Sequence, residues 1–144
     1  GNLRALMCWL QAGRPLPFRT LRNQRSLLGL DLLSRVVERA LAIGLSGTFN
    51  VADPRPISTA ELGLALQSEL GGDVWPFPSS LLRAAAAIAG RDAVAQRLTD
   101  SLVLDTRRIQ AQCADLFTHV DTRAGLVSMA ADHRISFASP TSFR

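Results

Sequence analysis

The chain has 144 residues, 47% of them hydrophobic, and a net charge of +4 in which all 16 positive side chains are arginine; tyrosine and lysine are both absent. That is enough apolar material for one core and too little for a large two-lobed enzyme, and it excludes proton-transfer chemistry that runs on a Tyr or Lys of this chain. No apolar run approaches the roughly 18 residues of a membrane span, the most apolar stretch from Leu81 to Gly90 being broken by Arg83, so no membrane association is expected.

The basic balance raises nucleic acid as a partner, and the pattern argues against it. Phosphate-binding surfaces concentrate their cations on one face, with aromatic platforms where single strands are read. Here the arginines are scattered, only Arg107 and Arg108 are adjacent, and aromatics make up 6%. Uniform arginine with many alanines fits a GC-rich coding bias instead. Cys8 and Cys113 lie far apart without a C-x-x-C spacing, which predicts buried free thiols in a reducing cytoplasm rather than a disulfide. His119 and His133 lack a second pair of ligands and a partner that would make either a base, so no metal is expected.

In chain order, Leu3, Leu6, Met7 and Leu10 recur at helical spacing, and Gly13 before Arg14-Pro15 ends the pattern. Leu16-Pro17-Phe18 reads as an extended loop, because proline holds the backbone and its predecessor out of the helical region. Arg25 to Leu30 is a short apolar strand candidate, followed by Asp31 as the N-cap of a helix through Val36, Val37 and Leu41 to Gly44. Gly47 to Ala52 alternates like a short buried strand and ends in the turn Asp53-Pro54-Arg55-Pro56.

Ser58-Thr59-Ala60-Glu61 is a capping box, so a helix begins at Thr59, with Leu62, Leu66 and Leu70 as its apolar stripe and Gly71-Gly72 as its stop. Val74 to Pro78 resembles an edge strand, since its prolines cannot donate to a central ladder. Ser79 or Ser80 is expected to cap an alanine-rich helix to Ala89, ended by Gly90. Leu102-Val103-Leu104 leads to Asp105, the expected N-cap of a short helix over Thr106 to Cys113. Beyond Leu116 the periodicity is weak, and the Ser-rich last ten residues predict a frayed tail. Trp9 and Trp75 are expected in the core.

The run from Asn2 to Leu41, with Gly-Arg-Pro-Leu-Pro and Arg-Asn-Gln-Arg-Ser-Leu-Leu-Gly-Leu-Asp-Leu-Leu, resembles the C-terminal half of extended short-chain dehydrogenases, the NAD-dependent epimerase/dehydratase family of nucleotide-sugar enzymes. Gly-Thr-Phe-Asn-Val-Ala-Asp, Ser-Thr-Ala-Glu-Leu and Arg-Leu-Thr-Asp-Ser-Leu-Val-Leu-Asp-Thr follow in the family's order. The similarity spans roughly Asn2 to Cys113 and is closest to bacterial polysaccharide-pathway members acting on UDP-linked sugars. In that family an N-terminal Rossmann domain holds the dinucleotide and carries the catalytic Ser/Thr, Tyr and Lys, while a smaller C-terminal region closes over the nucleotide sugar. This chain matches only the second part, and shows no Gly-rich fingerprint between a strand and a helix.

The resemblance implies that Arg25 contacts the substrate diphosphate, chemistry that suits a guanidinium fork; a solvated arginine before a strand is the alternative. It places Arg97 on a phosphate and Asp100 on a ribose or sugar hydroxyl, against the alternative of a local ion pair. Asn2 and Leu3 match a segment along the nucleotide, where Asn2 would equally serve as a helix cap. Leu16, Pro17 and Phe18 fall where the family sets a loop beside the uracil, the alternative being a hydrophobic clamp in the core. No catalytic, cofactor-binding or metal-binding residue is expected in this chain.

Where the family has a Leu-Gly-Trp-x-Pro turn, this chain has Cys113-Ala114-Asp115-Leu116-Phe117, a departure that leaves the last 30 or so residues outside the pattern. The expected fold is α/β, a small and mostly helical substrate-binding subdomain with a few short strands and no Rossmann domain: residues 1–115 form the nucleotide-sugar-binding subdomain, and residues 116–144 a weakly patterned segment and tail. The expected role is substrate binding within a cytoplasmic NAD- or NADP-dependent epimerase, dehydratase or 4-keto reductase. Its partners would be a UDP-sugar, the missing N-terminal half and, in the full-length enzyme, a second copy. A standalone nucleotide-sugar sensor or the relic of a truncated gene is the alternative.

Overall fold

The structure is a computed structural model that describes residues 2–88, 90, 96 and 99–138, without the side chains of residues 2, 79, 82, 83, 85, 86 and 135–138. About half of the chain is helical: α1 (Asn2–Gln11), α2 (Leu30–Ala42), α3 (Thr59–Leu70), α4 (Ser79–Ile88), α5 (Arg107–Gln110), a 3-10 turn (Ala114–Phe117) and α6 (Thr122–Ala138). No helix among the described residues is long and apolar enough to cross a membrane. The chain divides into two compact units, one of Gly1–Asn23, Ser58–Asp100 and Arg123–Arg144, the other of Gln24–Ile57 and Ser101–Thr122.

In the first unit, the predicted stripe of α1 buries Met7 and Leu10 against Leu66 of α3, with Leu3, Leu6, Leu62 and Leu70 packed around them. Leu16, Phe18, Leu21 and Val74 complete this core, together with Ala130 of α6. The helix α3 starts where the capping box places it: Ser58 Oγ accepts the Glu61 N–H at 3.0 Å and Glu61 Oε2 accepts the Ser58 N–H at 2.8 Å. Its end at Leu70, capped by Gly71, also follows the sequence.

Three expectations for this unit are corrected. Trp9 and Trp75 are 46% and 47% exposed rather than core; the Trp9 indole N–H donates to the Pro15 carbonyl and its ring lies under the Arg14 guanidinium, so both faces of its chemistry are met at the surface. The segment read as weakly periodic holds a 17-residue helix, α6. Its apolar positions Leu126, Met129 and Ala130 keep 3- and 4-residue spacing, but Ala124 and Gly125 before them and Ala131 and Asp132 after them dilute the pattern, and packing of Met129 and Ala130 into the core supplies the rest. Finally, α4 begins at Ser79 itself. Ala89 and residues 139–144 of the expected tail lie outside the described residues.

In the second unit, Leu32 and Val36 of α2 meet Ile109, Cys113 and Phe117, with Leu45, Phe49 and Val51 packed alongside. Asp31 is not the cap of α2: Gly29 holds that position, and Asp31 sits in the first turn, 3.0 Å from Arg35. The carboxylate at this end comes from Asp53, buried to 6% exposure, whose Oδ1 accepts the Gly29 N–H at 2.9 Å. A negative charge there is favourable against the positive end of the helix dipole. Asp105 is likewise not the cap of its helix: α5 is only Arg107–Gln110 with Thr106 at the N-cap, although Asp105 Oδ1 accepts the Arg107 N–H at 3.0 Å.

The few short strands are the largest correction. Among the described residues the extended segments meet only in isolated bridges, Leu16 with Val74, Arg25 with Ile57, and Arg25 with Leu102. Proline explains the first two, because Pro15, Pro17, Pro76, Pro54 and Pro56 withhold the donors a longer ladder needs. Serine hydroxyls explain the third: Ser101 Oγ takes the Gln24 N–H and Ser26 Oγ takes the Leu104 N–H, so side chains occupy donors that flank the bridge. Gly47 to Ala52 forms no strand either.

Candidate functional site

Arg25 is held at its backbone by two bridges. Its N–H donates to the Ile57 carbonyl at 2.8 Å and its carbonyl accepts from Ile57 N at 3.0 Å. On its other side Ser26 N donates to Leu102 O at 2.9 Å, and Leu102 N to Gln24 O at 2.8 Å. The Arg25 backbone is thus fixed between two other segments of its own unit, and its side chain is half-buried.

The remaining described candidates belong to the first unit. Leu3 packs against the core from α1, Leu16 and Phe18 are in that core at 3% and 5% exposure, and Pro17 between them is half-buried. The backbone around them is engaged, with Leu16 N donating to Asp73 O at 2.7 Å and Trp75 N to Leu16 O at 3.0 Å. Asp100 is exposed; its Oδ1 accepts the Thr99 hydroxyl at 3.3 Å, and its carbonyl accepts from Asn23 Nδ2 at 3.1 Å. Asn2 opens α1, and its side chain lies outside the described residues, as does the whole of Arg97.

Leu16 and Val74 also bring together a cleft of about 450 Å³, lined by Pro15, Arg19, Asp73, Val74, Trp75 and Pro76. Trp75 tilts against Phe77 with ring centroids 5.7 Å apart. The lining thus combines a cation, Arg19, and an anion, Asp73, with an exposed indole and two prolines.

Three features were not visible in the sequence. Asn23 is buried and links distant backbone groups, Asp53 holds the start of α2, and Cys8 Sγ lies 3.9 Å from His133 Nε2. The last pair is 125 residues apart in the chain, so no local spacing announces it. Both cysteines are free, Cys8 half-buried and Cys113 buried. Among the described residues no group of three or more His, Cys, Asp or Glu side chains is arranged to hold a metal ion. Comparison with known proteins finds no matching family model, no matching curated protein and no matching solved structure.

Proposed function

We propose that the chain is the substrate-binding part of an extended short-chain dehydrogenase, a cytoplasmic epimerase, dehydratase or 4-keto reductase acting on a UDP-sugar. The observation that carries this reading is the doubly bridged backbone of Arg25. A guanidinium that binds a diphosphate gains most when its backbone is already fixed, because less freedom is lost on binding. Arg97 and Asp100 would add a phosphate contact and a hydroxyl contact, and Asn2, Leu3 and the Leu16 to Phe18 loop would border the nucleotide.

A second feature supports an absent partner half. The helix α2 buries Leu32 and Val36 on one side, yet Leu30, Val37 and Leu41 are 77%, 50% and 79% exposed at spacings of seven and four. An apolar stripe left open opposite a packed one is what a helix shows when a further layer belongs on it.

Such an enzyme moves hydride at C4 of the sugar with NAD or NADP, which supplies the redox chemistry when bound. In this reading the absent N-terminal half would hold that dinucleotide. Gly13, Gly44 and Gly71, all with positive φ, follow the C-termini of α1, α2 and α3, whereas a dinucleotide fingerprint leads into a helix N-terminus.

The test is calorimetric titration of the natural polypeptide with UDP and UDP-glucose, beside its Arg25→Ala variant. Loss of a charge-assisted contact should weaken binding by about 1.5–3 kcal/mol; equal affinity in the variant would remove Arg25 from the site. The mass of the polypeptide in its source cell separates enzyme from standalone module, since about 15.5 kDa leaves no room for a catalytic half.

A further inference from the structure

The helix α1 turns Leu3, Leu6, Met7 and Leu10 into the first core, and Cys8 lies outside that stripe yet is half-buried. The helix α6 packs Met129 and Ala130 into the same core, and His133 follows them by four and three residues, one turn further along the same face. The two helices thereby set a thiol against an imidazole, with Sγ and Nε2 3.9 Å apart. Apolar packing alone would not call for either group there. The other cysteine is a built-in contrast: Cys113 is 1% exposed among Leu32, Val36, Ile109 and Phe117, with no imidazole in its cluster.

We infer that Cys8 is a thiol-modification site, in which His133 takes the thiol proton and the sulfur exchanges with a low-molecular-weight disulfide of the glutathione class. The Cys8 Sγ–H proton passes to His133 Nε2, and the sulfur attacks one sulfur of the disulfide. A new Sγ–S bond forms as the old S–S bond breaks, and the departing thiolate carries away the electron pair and is protonated by the imidazolium. Cys8 is oxidised to a mixed disulfide, the other half of the reagent is reduced to a thiol, and excess free thiol reverses the exchange. Charged residues close in sequence are Arg4, one turn before Cys8 on α1, and Asp132 and Arg134, which flank His133 on α6; Arg134 Nη1 donates to the Glu69 carbonyl of α3 at 3.2 Å.

The experiment treats the full chain at pH 7 with oxidised glutathione and reads the modification of each cysteine by peptide mass. In the unaltered protein Cys8 should be modified at least about tenfold faster than Cys113, a modest ratio against the roughly 10²–10⁴ that positioned bases contribute. Equal rates at the two cysteines would overturn the proposal without any variant being needed. His133→Ala should slow Cys8 by about tenfold, leave the protection of Cys113 unchanged, and recover its rate when imidazole is added to the buffer. A Cys8 rate indifferent to His133→Ala, or a loss that imidazole does not repair, would equally overturn it.

Discussion

Asn23 Oδ1 accepts the backbone N–H of Thr59 at 3.0 Å, while its amide nitrogen donates to the Asp100 carbonyl at 3.1 Å. Thr59 is the first residue of α3 and is 2% exposed, so its N–H is one of the helix-start donors that find no partner within the helix. One side chain therefore meets a helix terminus and a loop carbonyl from a third stretch of chain. Replacing Asn23 by Ala removes both contacts from a buried setting and should cost about 1–3 kcal/mol. Asn23→Asp should not rescue it, because the acceptor survives but a carboxylate oxygen faces the Asp100 carbonyl in place of a donor. Urea unfolding checks this, with a lower midpoint and an unchanged slope in both variants.

The same helix start is closed a second way, through Ser58 and Glu61. The hydroxyl of Ser58 accepts from Glu61 N and also donates to Glu61 Oε2 at 3.0 Å, so the two side chains act as a unit. Ser58→Ala should cost about 1 kcal/mol. Glu61→Ala should cost less, and the double variant less than the sum, because either change alone already breaks the reciprocal pair. A double-mutant cycle by thermal unfolding measures that coupling; strict additivity would mean that the two bonds form independently.

What the sequence disclosed and what it hid divide along the range of the contacts. The capping box, the stripe of Leu62, Leu66 and Leu70, and the Gly71 stop depend on neighbours within a few residues, and each stands as read. Asp31 looked like a cap because the local pattern offers it, yet Asp53 lies 24 residues from Gly29 and takes that N–H instead. The strands failed for a reason partly in view, since the prolines that mark an edge strand also stop a ladder after one bridge. At the candidate site, the chemistry of Arg25 was legible from its residue type. Its clamping between Ile57 and Leu102 was not, because both partners are distant in the chain. Leu16 and Phe18 show the converse, being apolar residues whose burial no local pattern distinguishes from a loop beside a base.

Gly72 and Gly44 separate two costs that are often merged. Both have positive φ, 79° and 62°, which an L side chain enters at a cost of roughly 1–2 kcal/mol. A Cβ on Gly44 would meet nothing within 4 Å, whereas on Gly72 it would lie 3.0 Å from the Leu10 carbonyl oxygen and 3.1 Å from Leu10 Cδ2. Leu10 is fully buried and its carbonyl belongs to α1, so neither can yield cheaply. Gly44→Ala should show the backbone cost alone, and Gly72→Ala more than that. Chemical denaturation of the two variants tests the order; equal losses would mean that α1 shifts freely.

Asp105 and Arg107 form an exposed pair with an electrostatic signature that can be read directly. Arg107 Nη2 lies 2.6 Å from Asp105 Oδ2, and Arg107 Nε and its backbone N–H each lie 3.0 Å from Oδ1. The side-chain hydrogen bonds from Arg107, followed by the one from its backbone N–H, hold the Asp105 carboxyl at about 2, below its ordinary value of 3.8. A depressed carboxylate contributes stability above its unfolded value and loses that contribution as pH falls through the folded one, so this pair acts fully above about pH 4 and fades toward pH 2. Titration followed by carbon-13 NMR should place the Asp105 midpoint near 2. In Arg107→Ala the midpoint should rise toward the ordinary carboxylate range without reaching it, because the backbone N–H of residue 107 still donates. Added salt should leave the hydrogen-bonded part of the shift in place, since screening acts on the charge and not on the short N–H to oxygen contacts. A midpoint near 4 in the unaltered protein would show that the pair does not form in solution.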